Sequence, residues 1–224
     1  VLQGVILPYI PFSWTAAADP APDTFVRYNV YRRVAGAGAS GDVLIAQITD
    51  RSVAFYNDYA PTSFVPWEYT VTQVVTIGVN TLEGAKSAPV VGFVNFDYLY
   101  IHDVTDPEDN FLAFYSFESA EEGQQDVAFK AAWGNQAPTA FVGDLDYSAL
   151  RITGLPDVMR GSLWNALRPL VSRQRTDSAI YCVRNGVAGQ RWFCNVRSFS
   201  RRNAQGGYTP ELALTEVEYD ESVA

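Results

Sequence analysis

The single histidine of this chain, His102, stands beside Asp103, Asp106, Glu108 and Asp109, residue types that bind cations or move protons. A Ca²⁺ loop needs oxygen ligands at alternating positions around a central glycine, and this run lacks that spacing. It reads instead as a solvated acidic loop. The carboxylate pairs Glu121/Glu122 and Asp144/Asp146 carry the groups a glycosidase would use, but acids this common on loops usually serve solvation. No G-x-S-x-G, P-loop, G-x-G-x-x-G or H-E-x-x-H pattern occurs, and one histidine distant from any suitable partner is poor support for a nucleophilic triad. Cys182 and Cys194 are too few for a structural zinc site or a disulfide framework. They flank a predicted hairpin, where two buried free thiols are the simpler reading and a cross-strand disulfide the alternative. The expectation is a protein that is not an enzyme, with no catalytic residue, no metal ligand and no cofactor.

What must position these residues is β structure. The chain has 224 residues, of which 48% are hydrophobic, 18% charged and 14% aromatic. That length suits two domains, and aromatics spread along a chain favour strands over helices. The net charge of −9 removes the electrostatic reason to bind nucleic acid. No run of about eighteen apolar residues is present, so no membrane insertion is expected.

The charges are segregated along the chain. Residues 1–94 hold five basic and seven acidic side chains. From Asp97 to Asp157 there are twelve acids against Lys130 and Arg151, and from Val158 to Pro210 nine arginines against Asp177 alone. The last stretch, Glu211 to Ala224, is purely acidic. One reading neutralises these blocks within the domain. The other places them on opposite faces, where copies of the chain meet acid to arginine, a role that the planar guanidinium suits. Fourteen arginines against two lysines lean toward contact, with Arg173, Arg175, Arg184, Arg191, Arg201 and Arg202 as the candidates for a partner interface.

The first ninety or so residues read as short strands separated by turn signals, as in a β-sandwich. Tyr9 to Thr15 alternates with Ile10, Phe12 and Trp14 on one face. The proline-rich run Asp19 to Asp23 breaks the chain. Strands are expected again over Arg27 to Arg33, with Tyr28 and Val30 inward, and over Val43 to Ile48, Val53 to Asn57, Trp67 to Val75 and Val90 to Val94. Trp14, Trp133 and Trp192 lie in alternating patterns and are expected in the core. Trp67, beside Pro66, is the tryptophan most open to surface duty such as stacking on a sugar.

In this order the Phe12-Ser-Trp-Thr strand, the Tyr28-x-Val-Tyr-Arg strand, the Asp58-Tyr59 turn, the Tyr69-Thr-Val-Thr-Gln-Val strand and the Gly84-x-Lys-Ser segment resemble a fibronectin type III domain. The resemblance covers about residues 5–93. It implies that Trp14 is the core plug and that Tyr69 forms the tyrosine corner. Fold alone implies no function.

Residues 95–110 read as an acidic linker, and residues 111–224 as a second β domain. Strands are expected over Phe111 to Phe117, Val127 to Trp133, Leu145 to Thr153, Ile180 to Arg184, Arg191 to Val196 and Glu211 to Tyr219. The shift of apolar phase from Leu212/Leu214 to Val217/Tyr219 suggests a bulge in the last. Leu163, Leu167, Leu170 and Val171 fit one short amphipathic helix, with Asp157 or Ser162 as N-cap.

The Trp133-Gly-x-x-Ala-Pro138 turn, the helix followed by Tyr181-Cys-Val-Arg-Asn-Gly186, the Arg191-Trp-Phe193 strand and the closing Leu214-Thr-Glu-Val-Glu-Tyr-Asp-Glu221 resemble the tail-tube-like β-barrel domain of tailed-phage tail proteins. That resemblance implies a mainly β fold and a virion structural protein: a minor tail, distal tail or baseplate component, assembled in the host bacterial cytoplasm. Its partners would be other copies of itself in a threefold or sixfold ring, neighbouring tail proteins and a host cell-surface glycan. The alternative is a carbohydrate- or cell-surface-binding module of a larger extracellular protein.

Overall fold

A strand forms over Ile10–Ser13 (β1) because its alternation sends Ile10 and Phe12 inward and leaves Pro11 and Ser13 exposed,. β1 pairs antiparallel with Phe55–Asp58 (β4), Ile10 opposite Asp58 and Ser13 opposite Phe55. The computed structural model describes residues 7–16, 24–130, 139–154, 158–160, 179–204 and 207–221, with backbone alone for 122–130, 139–148, 158–160, 200–204 and 207–210.

The second sheet is built on two long strands, Thr24–Val34 (β2) and Trp67–Ile77 (β5). They pair antiparallel from Thr24 opposite Thr76 to Val34 opposite Trp67, with a register shift between Phe25 and Arg27. Val43–Ile48 (β3) flanks β2, and Asn80–Glu83 (β6) and Val90–Gly92 (β7) both pair with β5. The core between the two sheets contains Ile10, Phe12, Tyr28, Val30, Ile45, Tyr69 and Val71, with Trp14 and Trp67 packed against it. The mainly β, antiparallel character of this part of the chain is as expected. β3 has the predicted bounds, whereas β6 was not expected: its four residues are all exposed and carry no alternation to read.

The third sheet has the strand order β10-β11-β15-β14-β13-β8-β9-β12. Its members are Leu99–Asp103 (β8), Phe111–Phe114 (β9), Glu118–Lys130 (β10), Thr139–Thr153 (β11), Val158–Arg160 (β12), Tyr181–Asn185 (β13), Gln190–Ala204 (β14) and Gly207–Glu216 (β15). The path ends on β10 and β12. Among the described residues there are three antiparallel sheets, no α-helix and no closed barrel. The helix expected over Leu163 to Val171 lies outside the described residues, as does Trp133. The irregularity expected in the last strand falls on its neighbour, where β14 shifts register between Val196 and Ser198 against β15.

The chain divides into two units: Val1–Tyr100 with Arg184–Arg191 and Tyr219–Ala224, and Ile101–Val183 with Trp192–Glu218. A single cut near residue 94 was expected. The stretch 95–110, read as a linker, opens on β8, in which Leu99, Tyr100, Ile101 and His102 are buried. The apolar run before His102 outweighs the acids after it, and burial on both faces explains why alternation did not reveal a strand.

Gly186 shows how closely the β13–β14 hairpin tip packs in the first unit. Its amide donates to the Tyr98 carbonyl at 3.0 Å, and a Cβ at this position would lie 2.3 Å from the Phe96 carbonyl oxygen. Gly186→Ala therefore forces backbone apart. We expect a loss of about 2 kcal/mol and a melting temperature lower by about 4–8 °C in calorimetry of the full chain; an unchanged melt would show that the tip does not pack this way.

Candidate functional site

Tyr28, Val30 and Arg32 share one face of β2, and that face is the core. Arg32 is 2% exposed, so its charge must be met inside the protein. Its Nη1 donates to both carboxylate oxygens of Asp58, at 3.0 and 2.8 Å. Its Nη2 donates to Glu221 Oε2 at 2.6 Å, and its guanidinium lies 4.9 Å from the centre of the Trp67 ring.

Asp58 is held for this task by its neighbours. As the last residue of β4 it accepts the amide of Ala60 on Oδ1 at 3.0 Å, an Asx-type turn,, and the Tyr69 hydroxyl on Oδ2 at 3.0 Å. Arg32 and Tyr69 are register partners across β2 and β5, so the sheet itself sets both groups toward one carboxylate. Glu221 accepts a second guanidinium, Arg191 Nη1, on Oε1 at 3.2 Å. Arg191 Nη1 also reaches the Ala60 carbonyl at 3.2 Å. The result is a chain of alternating charge, Asp58–Arg32–Glu221–Arg191, all within the first unit.

Burial alone would lower the pKa of Arg32, but Asp58 and Glu221 outweigh it and raise the pKa above the ordinary value,. Burial, and then the Asp58 charge, raise the pKa of Tyr69. Burial, with Asp58 again the next cause, raises that of Tyr56. Tyr69 thus remains a protonated donor. Tyr69, which the fibronectin resemblance makes the tyrosine corner, is buried and donates its hydroxyl to a side-chain carboxylate. Trp14 is half-buried and packs edge-on against Tyr28 at 5.3 Å, beside Phe12 at 5.4 Å.

Of the six arginines named as interface candidates, Arg184 and Arg191 are described with their side chains. Arg184 is fully buried. Its Nη1 donates to the carbonyls of Pro8 and Tyr59, the latter at 2.6 Å, and the guanidinium lies over the rings of Phe96 and Tyr100 at 4.6 and 5.9 Å. Arg191 belongs to the network above. Arg201 and Arg202 sit on β14 opposite Pro210 and Thr209, their side chains outside the described residues. Arg173 and Arg175 lie outside them altogether.

The acids around His102 are engaged locally. Asp103 accepts the amide and hydroxyl of Thr105 at 2.9 and 2.7 Å, and Asp106 accepts Asn110 Nδ2 at 2.5 Å. His102 is buried, its Nδ1 3.1 Å from the Asp103 carbonyl oxygen. Among the described residues no group of three or more His, Cys, Asp or Glu is disposed to hold a metal ion. Glu121 accepts the indole N–H of Trp192 at 3.2 Å, and the side chains of Glu122, Asp144 and Asp146 lie outside the described residues. Cys182 and Cys194 are buried free thiols, and burial, then the Glu216 charge, push the Cys194 pKa up to about 12. Trp67, expected nearest the surface, is half-buried beneath Arg32.

The network itself was not anticipated. A signal existed in the phase of β2, because an arginine two residues beyond the inward pair Tyr28 and Val30 must bring an acid with it. No protein-family model matches the chain, and the comparison with curated proteins returned no match.

Two expectations follow from this geometry. Asp58→Asn leaves the buried guanidinium with one carboxylate fewer and should cost about 3 kcal/mol in denaturant unfolding of the full chain; a change below about 0.5 kcal/mol would mean that Arg32 is not paired as described. The folded protein also holds the Tyr69 and Tyr56 protons more tightly than the unfolded chain does, where tyrosine ionises near 10.0. Their contribution to stability is therefore whole below that pH and is lost as pH rises above it. Absorbance at the phenolate band should show these two tyrosines ionising only together with loss of near-ultraviolet dichroism, and Tyr69→Phe should make stability less dependent on alkaline pH.

Proposed function

We propose that the protein is a structural component of a tailed-phage virion, a minor tail, distal tail or baseplate protein. It assembles into a ring of copies, and the fibronectin-like sandwich projects as decoration or host-surface contact. The observation that supports this reading is the succession of sheets along the chain: first those with fibronectin-like strand motifs, then one built from long antiparallel strands whose β15 leads into the acidic Leu-x-Glu-Val-x-Tyr segment. β11 and β14 have fifteen residues each, well beyond the usual length of about 5–6, and long strands of this kind suit an assembly domain that extends a sheet between subunits. The absence of a metal-holding cluster among the described residues lends no support to a catalytic alternative. The carbohydrate-binding alternative needs Trp67 as an open stacking face, and Arg32 lies against that ring.

The reading is tested by mass and shape. Electron microscopy and sedimentation of the full chain should reveal closed rings of threefold or sixfold symmetry. If acid and arginine faces meet, raising salt from about 0.1 M to about 1 M, which shortens the screening length from about 10 to about 3 Å, should dissociate them. A monomer that persists at all concentrations, including with neighbouring tail proteins present, would sink the proposal.

A further inference from the structure

Of the ten asparagines in this chain, Asn185 alone is followed by glycine. That pair favours spontaneous deamidation, because glycine has no side chain to hinder the approach of its amide nitrogen to the carboxamide carbon, Cγ, of the asparagine. The reaction needs that carbon electrophilic and that nitrogen free. The β13–β14 hairpin tip treats the two requirements oppositely.

The carbon is prepared. The Ala188 amide donates to Asn185 Oδ1 at 3.1 Å, which holds the carboxamide and favours the negative charge that attack places on that oxygen. The nitrogen is withheld. The Gly186 amide donates to the Tyr98 carbonyl at 3.0 Å, so its proton is engaged and its position fixed. The Phe96 backbone and ring press on the Gly186 Cα closely enough that a Cβ there would collide with both, and this wall opposes the rotation that would bring the nitrogen to Cγ. Asn185 is itself buried, which keeps away the base that must take the proton. All these residues belong to the first unit.

We propose that Asn185–Gly186 is a deamidation site gated by the fold, closed while the tip is docked on Phe96 and Tyr98 and open when it lifts. In the lifted state the Gly186 nitrogen gives its proton to hydroxide and forms a bond to Cγ. The C–N bond of the carboxamide breaks, ammonia leaves, and a five-membered succinimide remains. One water then opens that ring at either carbonyl and yields aspartate or isoaspartate at position 185. Isoaspartate carries an additional methylene in the main chain, next to a glycine whose surroundings allow no displacement, so a tip modified in this way does not redock as before. Opening of the tip is thereby recorded covalently and in one direction. The inference concerns the hairpin alone and holds whether or not the chain forms rings.

Trypsin cuts after Arg184 and Arg191 and releases residues 185–191 as one peptide, in which asparagine, aspartate and isoaspartate separate by chromatography and mass. The test incubates the unaltered full chain in mildly alkaline buffer with urea raised stepwise to full unfolding, and follows hydrogen exchange of the Gly186 amide by nuclear magnetic resonance in parallel. Conversion in buffer without urea should be about a hundredfold slower than in the unfolded chain, and across the series it should rise in proportion to the open population that exchange reports. The isoaspartyl chain, isolated by ion exchange, should show faster amide exchange at the tip than the unmodified chain. Conversion without urea within about threefold of the unfolded rate would overturn the gate. So would a rate that stays flat while exchange of the Gly186 amide accelerates. An isoaspartyl chain whose tip exchanges as slowly as the unmodified one would overturn the one-way step.

Discussion

A guanidinium buried on the inner face of a sandwich strand imposes conditions on everything near it. Arginine does not lose its proton at any pH that a protein meets, so Arg32 cannot escape desolvation by becoming neutral as a buried lysine can. Several kcal/mol per buried ion must be offset by close, well-aligned acceptors. Asp58 provides two oxygens to Nη1, but it must itself be held, and the Ala60 amide and Tyr69 hydroxyl do this. Nη2 is met by Glu221, 189 positions further along the chain. The first unit is discontinuous in part for this reason: the last residues of the chain complete the charge balance of a strand near its beginning.

The second buried arginine obeys the same constraint with different means. Arg184 directs Nη1 to two backbone carbonyls and lies over two aromatic rings. Carbonyl oxygens and ring faces carry partial negative charge and can solvate a weakly hydrated planar cation where a compact ammonium would fit poorly. The excess of arginine over lysine, read from sequence as a preference for contacts between subunits, has at these positions an internal cause. Arg32, Arg184 and Arg191 are structural cations of the first unit, and they bring Pro8, Tyr59, Ala60 and Glu221 together with the hairpin tip.

The legible parts of the fold were those with local periodicity. β1 and β5 alternate apolar and polar side chains, and their positions follow from that pattern,, although in β5 the alternate residues Thr70 and Thr72 are buried too. β8 failed that test because both its faces are buried. The first half of β10, Glu118 to Gln125, failed it because a polar run looks like loop although it pairs residue for residue with β11. β6 has no buried residue at all. Tyr69, in phase with Val71, is buried, whereas Trp14, in phase with Ile10 and Phe12, is only half-buried against that core. The partners of Arg32 were not. Phase alone demands an acid for Arg32 but does not say which of twenty-five, and the answer depends on a contact between the two ends of the chain.

This distinction limits what charge statistics can say about assembly. A block of arginines beside a block of acids looks like two complementary faces, yet Arg184 and Arg191 from that block are already engaged inside one unit, and one of the terminal acids is engaged with them. Buried pairing of this kind and pairing between copies use the same chemistry: a fixed guanidinium, a carboxylate and the exclusion of water. What separates them is only which chain the carboxylate comes from. Glu221 lies five positions beyond the end of β15 and is met by two guanidinium groups of its own chain.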